Sequence, residues 1–240
     1  MSITPEQAAH ETRDAVLRVP GRFMTDAATY AHAAELGFDG ADFYLAGRGS
    51  ALGDVPAAVV TAALVFFSPD VVEPAWARSA AVMPRRDTAL AWASSLHAYA
   101  REHDTKQVDW STLATLLGRV VAFAPVAGAP LFAGWRELPE PEDAPALALH
   151  RLNALRELRG GLHAAAVLTV GLAPVEAIVV RTPNMVRTFG WTDAPPDPAP
   201  FNERWALAEA RTDRMFGRHL GLLDGDERGA LVEMLGTLAS

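Results

Sequence analysis

The 240-residue chain contains no cysteine, which at once removes thiolate nucleophiles, zinc ribbons, iron–sulfur clusters and redox dithiols from consideration. Lysine is nearly missing too: Lys106 is the only one, so 20 of the 21 basic residues are arginine. With alanine abundant, this bias reads more simply as high-GC codon usage than as a phosphate-binding design. Long apolar runs are scarce. The longest, Val55 to Phe67, is interrupted by Pro56 and Thr61 and is too short to span a bilayer. No positively charged apolar leader precedes Thr4, so the expectation is a cytoplasmic protein with no membrane partner. Strand patterns are nearly absent. The chain is 50% hydrophobic and 21% charged, the make-up of a globular protein. At this length, folding buries roughly 70 to 75% of the unfolded surface without a covalent staple.

Charge is unevenly placed. The formal net charge is −8, yet residues 151–220 carry nine arginines against seven acids, whereas residues 1–150 carry 11 basic side chains against 18 acidic ones. Only the middle of the C-terminal half could face a phosphate backbone, and its excess is far below the basic stripe of a typical nucleic-acid domain.

Helix signals dominate what is present. Thr4-Pro5-Glu6-Gln7 is a capping box with proline at the first helical position and predicts a helix to about Leu17. Further helices are expected from Thr25-Asp26 to Gly37, from an Asp54 cap over Val55 to Phe67, from Ser68-Pro69 through Trp76, over Asp87 to His103, and over Ser111 to Phe123. Between Pro125 and Pro145 the composition turns proline-rich and acidic, which sets the expected organisation: a helical half over 1–124, a linker over 125–145 and a second helical half over 146–240. In that second half Gly160-Gly161 is expected to weaken or break a helix that begins near Ala146. Short helices follow at Ala173 to Arg181 and Thr182 to Phe189, then a stiff proline connector from Ala194 to Pro200, and finally helices over Phe201 to His219 and Asp226 to Leu238. Two segments, Ala34 to Asp42 and Thr169 to Ala177, share a helix end, a Gly-apolar turn and an acid on the next helix, the outline of a helix-turn-helix.

Few groupings promise chemistry. Gly47-Arg48-Gly49-Ser50-Ala51-Leu52-Gly53 reads as a glycine-rich turn feeding a helix N-terminus, where amides can hold an anion. Its spacing fits neither phosphate-loop signature, and Asp54 sits where a phosphate would. Arg159-Gly160-Gly161-Leu162-His163 places a cation and an imidazole on either side of an expected flexible joint, and that histidine is a candidate acid, base or ligand contact. No histidine pair has metal-binding H-E-x-x-H spacing, and no G-x-S-x-G elbow occurs. Neither a metal nor a cofactor is expected. The six tryptophans, with Phe43, Tyr44, Phe66 and Phe67, could line a pocket, and core packing explains them equally well.

Taken in order, several pieces resemble an uncharacterised actinobacterial helix-turn-helix family with tandem winged-helix-like halves. In the first half they are Tyr44-Leu45-Ala46-Gly47-Arg48, Leu52-Gly53, Val59-Val60-Thr61-Ala62 and Phe66-Phe67-Ser68-Pro69. Gly128 to Ala133 with Leu138-Pro139 matches the linker. The second half is represented by Leu155 to Gly160, His163-Ala164-Ala165, Gly171-Leu172, Glu176-Ala177, Gly190-Trp191 and Glu209 to Arg214. The resemblance implies a mainly α fold of two helix-turn-helix (winged-helix-like) halves packed together. The chain departs from the family pattern in two places: no acid separates the glycines before His163, and only the proline connector stands where a wing should follow Trp191, so the second half lacks its wing. No activity is implied.

The leading expectation is a small-molecule-binding protein with an apolar pocket between the halves, taking an apolar or anionic ligand through Tyr44, Arg48, Ser50, Arg159 and His163. A transcriptional regulator reading DNA through Thr182 to Gly190, with Arg181, Asn184 and Arg187, is the first alternative. A cofactor-free enzyme using His163 as acid or base is the second. A homodimer is compatible with all three.

Overall fold

The computed structural model describes residues 3–103, 107–192 and 197–240. Among them are twelve α-helices and no strand: α1 (Pro5–Arg18), α2 (Ala27–Glu35), α3 (Asp42–Gly49), α4 (Ala57–Ala63), α5 (Pro69–Ser79), α6 (Arg85–Glu102), α7 (Trp110–Phe123), α8 (Pro130–Arg136), α9 (Ala144–Thr169), α10 (Pro174–Arg181), α11 (Asn202–Leu220) and α12 (Gly225–Ala239). The mainly α expectation therefore holds. No strand that could form a wing occurs among the described residues, so the winged-helix-like expectation for the first half is not met there. The start of the proline connector, 194–196, lies outside the described residues, and its end forms a short 3-10 turn at Ala199–Phe201.

Caps chosen by side-chain chemistry start many of these helices. Thr4 Oγ1 accepts from the Gln7 amide at 3.2 Å while Gln7 Oε1 accepts from the Thr4 amide at 2.9 Å, the reciprocal box that opens α1. Asp26, Ser68, Asp109, Asp143 and Asp224 accept from the first turns of α2, α5, α7, α9 and α12.

Helix α9 is the axis of the molecule. Fifteen of its 26 residues are buried, on every face, because α1, α6, α7, α8 and α11 surround it. The main apolar cluster draws on residues from Ala8 to Leu238, so both halves feed one core. The 125–145 stretch belongs to it as well, since Phe132 and Trp135 on α8 are buried there.

Four local expectations are corrected. Gly47 and Gly49 are not turn residues; they lie inside α3, where a Cβ at Gly47 would stand 2.6 Å from the Trp92 ring, so glycine is required by a close helix crossing rather than by a loop. Gly160-Gly161 does not break α9. A Cβ at Gly161 would lie 2.8 Å from the Ala129 Cα, so this glycine lets the chain before α8 touch the helix. Asp54 caps nothing: α4 starts after Pro56 and is only seven residues long. It ends at Ala63 because Pro69 keeps Ser68 extended (ψ 143°) and the intervening residues turn. Finally, the helix expected over Thr182 to Phe189 is only a 3-10 turn at Pro183–Met185. Hydrogen bonds from the Ser68 amide to Phe189 O (2.8 Å) and from Trp191 Nε1 to Phe66 O (2.9 Å) dock the rest of the segment onto the loop before α5.

The turn between α9 and α10 is the most informative local feature. Gly171 (φ +77°) lets the Leu172 amide reach back to Val167 O at 3.2 Å, and α10 leaves at 111° to α9. Two helices joined by a short glycine turn at that angle form a helix-turn-helix. Gly37 (φ +94°) and the Phe38 amide on Ala33 O (2.9 Å) build the same kind of turn after α2. No single described helix is long and apolar enough to cross a membrane.

Candidate functional site

A cavity of about 350 Å³ opens between the middle of α9, the C-terminal half of α10, α3 and the turn after α4. Its volume is at the small end of ligand pockets. Leu64, Phe66, Phe67, Leu131, Ile178, Phe189 and Trp205 supply most of an apolar wall. Five arginines line it (Arg18, Arg48, Arg156, Arg159 and Arg181) against two carboxylates, Glu157 and Glu209.

Helical spacing explains why α9 supplies so much of the lining. Arg156, Glu157, Arg159, Gly160 and His163 lie within two turns and project towards the gap that α8 and α11 leave open. Glu157 is almost fully buried and holds two guanidinium groups: Arg48 in a fork, at 3.1 and 2.8 Å, and Arg156 at 2.7 Å. Burial opposes the Glu157 charge, but the adjacent Arg48 and Arg156 hold its carboxyl below the usual range. Arg48 is in turn braced by the Tyr44 hydroxyl at 2.9 Å; burial works against its charge, and Glu157 more than offsets it, so its pKa is raised.

Arg159 is 1% exposed and contacts Glu209 at 2.9 Å and Asp213 at 3.4 Å. Arg13 shares both carboxylates, and His10 adds a contact to Asp213 at 3.1 Å. His163 packs against the rings of Phe66 and Trp205, and its Nδ1 lies 3.0 Å from Thr212 Oγ1 and 3.7 Å from Glu209. Burial, with Arg159 and Arg181 nearby, pushes its pKa down to about 4, against the pull of Glu209.

The structure thus brings Tyr44, Arg48, Arg159 and His163 from separate halves to one cavity. Ser50 does not join them: it is buried at the start of the 3-10 turn after α3, and its hydroxyl has no partner among the described residues. Arg48 and Arg159 reach the cavity already bound to carboxylates. The lining cations with no ion pair among the described residues are Arg18 and Arg181, and Arg181 had been expected to face DNA. Asn184 and Arg187 are exposed. Sequence reasoning assigned no role to Arg18, Arg156, Glu157, Glu209 or Thr212; all but Arg18 fall in the Leu155 to Gly160 and Glu209 to Arg214 segments, and helical spacing on α9 was a further signal for its own residues. Among the tryptophans, Trp205 lines the cavity, while Trp92 and Trp135 are core. No group of three or more His, Asp or Glu side chains that could hold a metal occurs among the described residues.

A helix-turn-helix is the class that the α9–α10 unit defines. A family model described as a helix-turn-helix family matches residues 9–199, and the chain belongs to that family. No curated protein and no solved structure matches it.

Proposed function

We propose that this helix-turn-helix protein binds a small anion with an apolar body in the cavity between α3, α9 and α10. The observation that carries the reading is the excess of five arginines over two glutamates around a largely apolar hollow, where the exposed Arg18 and Arg181 have no ion pair among the described residues. Guanidinium groups beside an apolar wall favour a carboxylate or another planar anion. The test is calorimetry with a panel of aromatic and aliphatic carboxylates beside their neutral amides. Acids bind, amides do not, and Arg181→Gln weakens the acids by about tenfold, the loss of one charge-assisted contact. Equal binding of acids and amides, or none of either, defeats the proposal.

A second reading, a DNA-binding regulator, is favoured by the family itself and by the 111° turn between α9 and α10. Family membership alone supports it better than it supports ligand binding. Against it, Ala177, Ile178 and Val179 of α10 are buried, and Glu176 is engaged with the Ala173 amide at 2.8 Å, which leaves Arg181 as the one other charged side chain on that helix. The elements beyond it offer Asn184 and Arg187. A mobility-shift titration on the protein's own promoter region decides: salt-dependent binding weakened by Arg187→Ala supports the reading, and no shift at low salt ends it. For catalysis by His163 the fit is poor, because a group titrating at about 4 is far from the optimum for acid–base work at neutral pH.

A further inference from the structure

The ring nitrogens of His163 are not equivalent. Thr212 Oγ1 donates its single proton to Ala208 O at 2.7 Å, so towards the imidazole it presents a lone pair. The second group near Nδ1, the Glu209 carboxylate at 3.7 Å, is also an acceptor. Nδ1 therefore carries the proton of the neutral ring, and Nε2 is left as a bare acceptor. Nε2 has no partner among the described residues. The His163 side chain is 11% exposed, and it lines the cavity. On α10, the exposed Arg181 lines the same cavity with no counter-ion among the described residues, and next to it Thr182 Oγ1 is buried with no partner among them. One hollow thus contains an acceptor waiting for a donor, and a cation with a hydroxyl waiting for an anion.

We infer that the ligand is a small hydroxy acid: an apolar, ring-containing body whose hydroxyl donates to His163 Nε2 and whose carboxylate pairs with Arg181 and Thr182. The inference rests on the ligand-binding reading above and narrows it. A methyl ether in place of the hydroxyl presents a lone pair to a lone pair, and a hydrogen in its place leaves Nε2 unsatisfied; both are penalised in a buried site.

The probes are hydroxynaphthoates differing in hydroxyl position, their O-methyl ethers and the parent naphthoate, titrated calorimetrically into the full chain at neutral pH. At least one hydroxynaphthoate is expected to bind about tenfold more tightly than its ether and the parent, as for one buried hydrogen bond. His163→Phe erases that preference while naphthoate still binds, and Arg181→Gln weakens all the acids alike. Should His163→Phe fail to fold, nitrogen NMR of the histidine-labelled wild type reads the same point: Nε2 is unprotonated in the free protein and shifts only with the hydroxyl compounds. If naphthoates bind with no preference for a hydroxyl, or if Nε2 carries the proton, the inference is overturned while the cavity remains a binding site. If no acid of any kind binds, the cavity reading falls and takes this inference with it.

Discussion

Glu157 shows how much one side chain can hold in place here. It is buried, it neutralises Arg48 from α3 and Arg156 from its own helix, and it fixes the wall between the cavity and the first half. Glu157→Gln leaves two part-buried guanidinium groups short of a counter-charge, a loss of about 3 kcal/mol, the low end for broken buried pairs. A urea midpoint should fall accordingly; an unchanged midpoint would mean that the pair contributes nothing. Gly47→Ala is expected to destabilise by roughly 1–3 kcal/mol, because the new methyl would meet the buried Trp92 side chain at under 3 Å. Residue identity alone hides both facts. Arg48 and Glu157 are 109 positions apart, and Gly47 is as common in turns as at helix crossings, so the sequence suggests Arg48 as a ligand contact without revealing the carboxylate that already holds it.

At the scale of elements, α9 is one uninterrupted helix that spans the core and the cavity. Its two adjacent glycines have opposite surroundings: Gly161 is pressed against the Ala129 backbone, while a Cβ at Gly160 would meet nothing within 4 Å. Gly160→Ala is therefore expected to stabilise the protein by about 0.5–1 kcal/mol through helix propensity, read as a higher Tm, whereas Gly161→Ala lowers it. Equal effects at both positions would show that α9 is not packed as described. Three helix starts were legible because Thr4, Asp26 and Ser68 each satisfy an amide locally, whereas the Asp143 cap of α9 was read as part of an acidic linker. The short α4 and the unwound stretch after Thr182 were not, since proline geometry and the hydrogen bonds between Phe66–Ser68 and Phe189–Trp191 act across the fold.

For the whole molecule, two buried histidines and a half-buried one link stability to pH. Burial lowers His97, His150 and His163 from an ordinary 6.5 to about 4. His97 and His150 face each other at 3.0 Å, so charging one disfavours charging the other. The folded chain then binds fewer protons than the unfolded chain between those values, and stability falls as pH drops from 6.5 towards 4. Glu157 and Asp213, both held low by their arginines, deepen the loss further into acid. A Tm that stays flat across this interval would contradict neutral imidazoles at these three positions. Because Ala8 to Leu238 share one cluster, we also propose that the proline-rich stretch joins two halves of a single folding unit; fragments 1–124 and 146–240, made separately, should each lack a cooperative thermal transition.

On this reading the cavity under α10 is a site for an apolar-bodied anion. A crystal structure grown with saturating naphthoate tests it most directly. The ring is expected between Phe66, Ile178 and Trp205, with its carboxylate against Arg181. Naphthoate found only on the outer surface, with the cavity empty or closed, would contradict it.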